Sequence, residues 1–132
     1  MQCFDFNEIK RIRRELGAQV KLVQLLADNS WYESDNDYNF LRSAQGLAQI
    51  AEYADGIGPW FAHLVDPETR QLSSLVEDAK ALDLDVHPYT FRKDQLPAQL
   101  TSEQTLEILF KTLKVDGVFT DHTDTVIDYL RK

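Results

Sequence analysis

Short apolar runs alternate with helical patterns five times along this chain of 132 residues, and that alternation limits its fold more than any other feature. The runs are residues 2–4, 20–27, 55–59, 85–91 and 115–120. Each is followed by apolar residues spaced three and four apart, the period of a helix with one buried face. Strands separated by helices pair in parallel, because a right-handed crossover returns the chain to the same end of the sheet. Two architectures fit: an open, doubly wound sheet, and part of a (β/α)8 barrel. A complete barrel takes about 250 residues, roughly twice this chain, and the sequence opens inside an apolar run. Both points favour part of a barrel.

Local signals punctuate the series. Asp5 can cap a helix whose third residue is Glu8, with Phe6, Ile9, Ile12 and Leu16 on its buried face and Gly17 as its stop. The run 20–27 is nearly continuous in apolar residues, as in a strand buried on both faces. A polar loop studded with aromatics follows, from Asp28 to about Arg42, long for a strand-to-helix connection. Residues 43–54 read as a helix through Leu47, Ile50, Ala51 and Ala54, and residues 72–82 as another, with Ser74 and Glu77 at capping-box spacing. Thr101 and Gln104 repeat that spacing before a helix expected to bury Leu106, Leu109, Phe110 and Leu113. Residues 121–130 form the closing helix. Within 85–91, Pro88 lacks a backbone donor and so marks a strand end or an irregularity.

The formal net charge of −8 argues against a nucleic-acid backbone or an anionic membrane surface as partner. Lys10, Arg11, Arg13 and Arg14 are the basic exception and read as the solvated face of the first helix. Cys3 is the single cysteine, so no internal disulfide can form, and its apolar setting suits a buried structural thiol. No apolar run approaches the ~20 residues of a bilayer span. Met1 leads into the chain without the basic and apolar preamble of a signal peptide, so the chain made as given is expected in the cytoplasm.

Ligands of parallel α/β proteins bind beyond the carboxyl ends of the strands. Two such ends stand out: Val86-His87-Pro88-Tyr89-Thr90-Phe91-Arg92 and Asp116-Gly117-Val118-Phe119-Thr120-Asp121. With alternating side chains, Val86 points outward and His87, Tyr89 and Phe91 point inward. Tyr89 then forms either an aromatic wall against a small polyol or phosphoester, or part of the core. Arg92 can pair with an anion or bridge to Asp94. Asp121 can ligate a metal or hydroxyl, or cap the last helix. His87 reads as packed in the barrel wall, proton transfer needing a second group within reach. His63 and His122 lie in connections and read as solvent-exposed. Gly56-Ile57-Gly58-Pro59 lacks a dinucleotide fingerprint, so its glycines suit close approach to a ligand or neighbouring strand. Asp28, Glu33, Asp35 and Asp37 lack a Ca²⁺-loop pattern and read as a solvated acidic loop. The sequence holds no nucleophile elbow, phosphate-binding loop, Cys/His metal box, or histidine pair beside clustered carboxylates. It offers the walls of a site without a reactive centre.

Taken in order, Gln2-Cys3-Phe4-Asp5, Asp55-Gly56-Ile57-Gly58-Pro59, Val86-His87-Pro88-Tyr89-Thr90 and Gly117-Val118-Phe119-Thr120-Asp121 resemble the carboxy-terminal half of bacterial periplasmic glycerophosphodiester phosphodiesterases. The resemblance covers essentially the whole chain, including the aromatic loop near Trp31 and Tyr38. It implies about the second half of a (β/α)8 TIM-barrel phosphodiesterase fold, occupying residues 1–132. It also implies hydrolysis of glycerophosphodiesters to glycerol 3-phosphate and an alcohol with a divalent cation, usually Ca²⁺, in the periplasm. The family's two histidines and its metal-holding carboxylates lie in the amino-terminal half. By matching position, this chain supplies Gln2 and Phe4 at one strand end, Tyr89 against the substrate, and the Thr120-Asp121 turn, with Arg92 beside them. The isolated chain is therefore expected to be inactive, to bind no cation, and to bind its missing half or self-associate through open sheet edges. The alternative is a non-catalytic half-barrel that serves binding or assembly.

Overall fold

The computed structural model describes residues 1–132, the side chain of Ala98 excepted. Four strands, β1 (Gln2–Cys3), β2 (Val23–Leu26), β3 (Gly56–Pro59) and β4 (Asp85–Val86), form one parallel sheet in the order β1-β2-β3-β4. Past Val86 the pairing continues through single bridges, Trp60 to Tyr89 and Phe91 to Thr120. Phe119 donates to the Pro88 carbonyl and Phe91 to the Phe119 carbonyl, both at 2.9 Å. Residues 117–120 thus lie in the expected fifth position. Strand order follows chain order with no reversal. A doubly wound sheet needs a reversal point, so the topology is that of a partial (β/α) barrel.

The helices are α1 (Phe6–Arg14), α2 (Tyr38–Leu41), α3 (Ala44–Ala51), α4 (Leu75–Ala81), α5 (Ser102–Glu107) and α6 (Thr123–Leu130). Asp5 caps α1 by accepting from the Asn7 amide, Ser43 caps α3 through Gly46, and Thr101 with Gln104 closes a reciprocal capping box on α5. Each such cap satisfies amides that the first helical turn leaves unpaired. The main core lies between helices and sheet, where Ile9, Leu22, Leu26, Leu47, Ile50 and Ile57 are fully buried.

Several local expectations are corrected. Helix α1 ends at Arg14, before Gly17 at φ +62°, and Leu16 is left 60% exposed beyond its buried face. Ser74 makes no cap: its hydroxyl donates to Asp78 instead. Leu106 and Leu109 are buried, whereas Phe110 and Leu113 are only partly so. Cys3 is half-buried against the core. The basic run is not uniformly solvated, because Arg13 donates to the carbonyls of Tyr53 and Ala18 and to Asp55. Residues 28–42 are not an open loop either. Asp28 caps a short turn at Asn29–Trp31 and Asp37 caps α2, so two of the four acids hold local structure.

The glycines of β3 answer to neighbouring strands. A Cβ on Gly56 would stand 2.7 Å from the Asp85 carbonyl oxygen, and one on Gly58 would stand 2.6 Å from Leu25 Cδ2.

Candidate functional site

Gln2 and Phe4 at the end of β1, Leu25 on β2, Tyr89 and Thr90 past β4, and the 119–121 turn enclose a hollow of about 380 Å³ at the carboxyl ends of the strands. Four of the five residues singled out from sequence, Gln2, Phe4, Tyr89 and Asp121, therefore share one cavity wall. The fifth, Arg92, joins them through Asp121, to which its Nε donates, while Nη1 reaches Gln95 at 3.3 Å. Arg92 thus bridges to Asp121 and not to Asp94, and Asp121 does not cap α6. The turn is closed by the His122 amide donating to the Thr120 hydroxyl at 2.8 Å, and α6 starts at Thr123 with no side-chain cap.

Backbone carbonyls at this end are held by internal donors. The Phe4 carbonyl accepts from Gln24 Nε2 at 2.8 Å and from the Tyr38 hydroxyl at 3.1 Å. The Tyr89 hydroxyl donates to the Leu26 carbonyl at 2.8 Å, and Arg42 Nη1 to that of Ala27 at 2.8 Å. Gln24 is a buried amide on a strand read as nearly continuous in apolar residues, and its Oε1 has no partner among the described residues. Burial pushes the Tyr89 phenol far above its usual value, and the neighbouring Tyr38 and Glu33 push the same way. Tyr89 therefore stays neutral at any ordinary pH. It serves as a hydrogen-bond donor and an aromatic wall, not as a base.

The inward alternation of the fourth run holds for His87, whose ring faces Gly117 and lies 6.1 Å from that of Phe119. It fails at Phe91, which packs with Leu106 and Val126 under the helices. The regular ladder of β4 ends at Val86, so the period of two does not carry as far as residue 91.

His63 departs most from the sequence reading. Its side chain is 14% exposed, its Nε2 lies 3.4 Å from Asp28 Oδ2, and its ring meets Trp60 edge-on at 5.2 Å. Burial, with nearby Arg42, lowers the His63 pKa, while hydrogen bonds from the Ser30 hydroxyl and amide help lower that of Asp28 to about 2. The available signal was local: His63 follows Trp60 by one turn just beyond β3. His122 does lie near the surface, its Nδ1 accepting from the Lys93 amide at 3.4 Å.

A second, larger cleft of about 620 Å³ opens beside the hollow and shares Tyr89 and Thr90 with it. Trp31, Trp60, Phe61, Phe91 and Leu96 contribute to its walls. The two indoles meet edge to face at 4.8 Å. Among the described residues, no three His, Cys, Asp or Glu side chains converge to hold a metal ion. A divalent cation is thus not fitted by these residues alone. No helix among them is long and apolar enough to cross a membrane.

Residues 1–125 match the model of the glycerophosphoryl diester phosphodiesterase family. The chain belongs to this family. A glycerophosphodiester phosphodiesterase of Haemophilus influenzae is 36% identical over 151 residues, which cover 99% of this chain and 42% of the relative. One from Treponema pallidum is 34% identical, covering 100% and 43%, and one from Arabidopsis thaliana is 32% identical, covering 74% and 28%. The chain thus spans about two fifths of the length of the first two phosphodiesterase relatives. The family match and the parallel sheet agree on a partial phosphodiesterase barrel.

Proposed function

We propose that this chain forms the substrate-facing wall of a glycerophosphodiester phosphodiesterase, which hydrolyses its substrates to glycerol 3-phosphate and an alcohol. The observation that carries this reading is the shared hollow, where Gln2, Phe4, Tyr89 and Asp121 converge in a chain of this family. Phe4 and Tyr89 offer an aromatic surface to the carbon skeleton of the glycerol. Gln2 and Asp121 offer polar atoms to its hydroxyls. Arg92 holds Asp121 and brings positive charge to the rim nearest a phosphate. None of these groups can serve as acid, base and cation holder together, so the chemistry falls to residues of a complementary segment. The Ca²⁺ of the resemblance would be held there too. The exposed edge of β1 is where such a segment, or a second copy, would add a strand. The periplasm is the compartment the family resemblance favours.

Glycerophosphocholine hydrolysis with Ca²⁺ tests the reading. The chain alone should give no turnover, and mixing it with the unmatched part of the Haemophilus influenzae relative should restore metal-dependent release of glycerol 3-phosphate. Robust turnover by the chain alone would overturn it. Light scattering provides a second check: a stable monomer at micromolar concentration would contradict the open-edge argument.

A further inference from the structure

The 620 Å³ cleft is not needed to hold a glycerophosphate, yet it runs from the same two residues, Tyr89 and Thr90, that wall the smaller hollow. Its volume lies in the range of drug-sized ligand sites. Its walls are mainly Trp, Phe, Pro, Leu and Val side chains. Several polar side chains in it already have partners. Arg92 is bound to Asp121 and Gln95, the Thr105 hydroxyl donates to the Thr101 carbonyl at 2.9 Å, and the Tyr89 hydroxyl donates to Leu26. A polar headgroup would have to break those bonds to be recognised here, at a cost in unpaired groups. An alkyl chain would not, and its burial removes apolar surface from water.

We propose that this cleft is the subsite for an alkyl or acyl chain carried by the alcohol half of the diester, so that the site accepts single-chain amphiphilic glycerophosphodiesters. The proposal rests on the hollow being the glycerophosphate end. Both cavities are lined by Tyr89 and Thr90, so a diester reaching across that shared border would occupy both. The Arg92–Asp121 pair stands on their common border, since Arg92 lines the cleft and Asp121 the hollow.

The chain's two tryptophans, Trp31 and Trp60, both line the cleft, so intrinsic fluorescence reports on it directly. The probes are glycerophosphoryl butanol, hexanol and octanol, with the free alkanols beside them. Affinity read from the fluorescence should rise about two- to fourfold per added methylene. Trp31→Ala, whose side chain is partly exposed, should flatten that slope with Trp60 left as reporter, and Leu96→Asp should do the same with both indoles present. Diesters binding more tightly than alkanols of equal length would support both the cleft and the hollow. Equal affinity with a preserved slope would support the cleft and count against the hollow. No chain-length slope in either series, or a slope unchanged in both variants, would overturn the proposal.

Discussion

Phe4 and Tyr89 meet edge to face with ring centroids 5.9 Å apart, although one follows β1 and the other follows β4. In a flat sheet, strands three places apart lie about 14 Å from each other. The contact exists because the sheet curls, and the same curl lets β1 and the 119–121 turn wall one hollow. Tyr89 is anchored by its hydroxyl at Leu26 and by its ring at Phe4. Tyr89→Phe removes only the first anchor and should cost about 1 kcal/mol, a fall of about 3–5 °C in Tm. Tyr89→Ala removes both and should cost about 3 kcal/mol or more. Thermal unfolding of the two variants checks the ordering, and equal losses would contradict it.

The glycines of β3 yield a contrast of a different kind. A Cβ at Gly56 meets backbone, the Asp85 carbonyl oxygen at 2.7 Å, and that oxygen cannot retreat without moving β4. A Cβ at Gly58 first meets the tip of Leu25, a side chain with other rotamers. Gly56→Ala should therefore destabilise by about 2–3 kcal/mol and Gly58→Ala by about 1 kcal/mol. Urea unfolding of each variant measures the difference, and a reversed order would show that Leu25 is the less yielding neighbour.

The barrel topology was legible because it rests on features each residue carries by itself. Apolar runs at Gln2, Leu25, Ile57, Val86 and Val118 mark five strand positions, and the caps at Asp5 and Thr101 depend on neighbours two or three residues away. What the sequence hid depends on partners distant along the chain. Arg92 sits closer in sequence to Asp94 than to Asp121, yet the fifth strand position brings Asp121 alongside it. His63 lies 35 residues from Asp28, and only the pairing of β2 with β3 juxtaposes them. Alternation placed His87 correctly and misplaced Phe91, because a period of two lasts only as long as the ladder.

The Arg92–Asp121 pair should add little stability. Both side chains are about half exposed, at 46% and 53%, where ion pairs contribute about 1 kcal/mol or less. A double-mutant cycle with Arg92→Met and Asp121→Asn should give a coupling of about 0.5 kcal/mol that shrinks in high salt. A salt-insensitive coupling of several kcal/mol would mean that the pair is structural.

Asp28 and His63 make stability depend on pH in two separate windows. The folded pKa of Asp28 lies near 2, below its unfolded value of about 3.9. Its contribution is therefore complete above the unfolded value and lost as pH falls through about 2. The folded pKa of His63 is also depressed, mainly by burial, so the unfolded chain takes up this proton first. The stability that comes from keeping His63 neutral is complete above about pH 6.5 and declines as pH falls below it. Denaturant unfolding from pH 8 to pH 2 should show that decline in the parent chain and, below about pH 4, the separate loss that comes from Asp28. His63→Gln should flatten the step below pH 6.5, and Asp28→Asn should leave a fall in that window while flattening the more acidic one. A parent and a His63→Gln variant losing stability equally between pH 7 and pH 5 would assign the step to other groups.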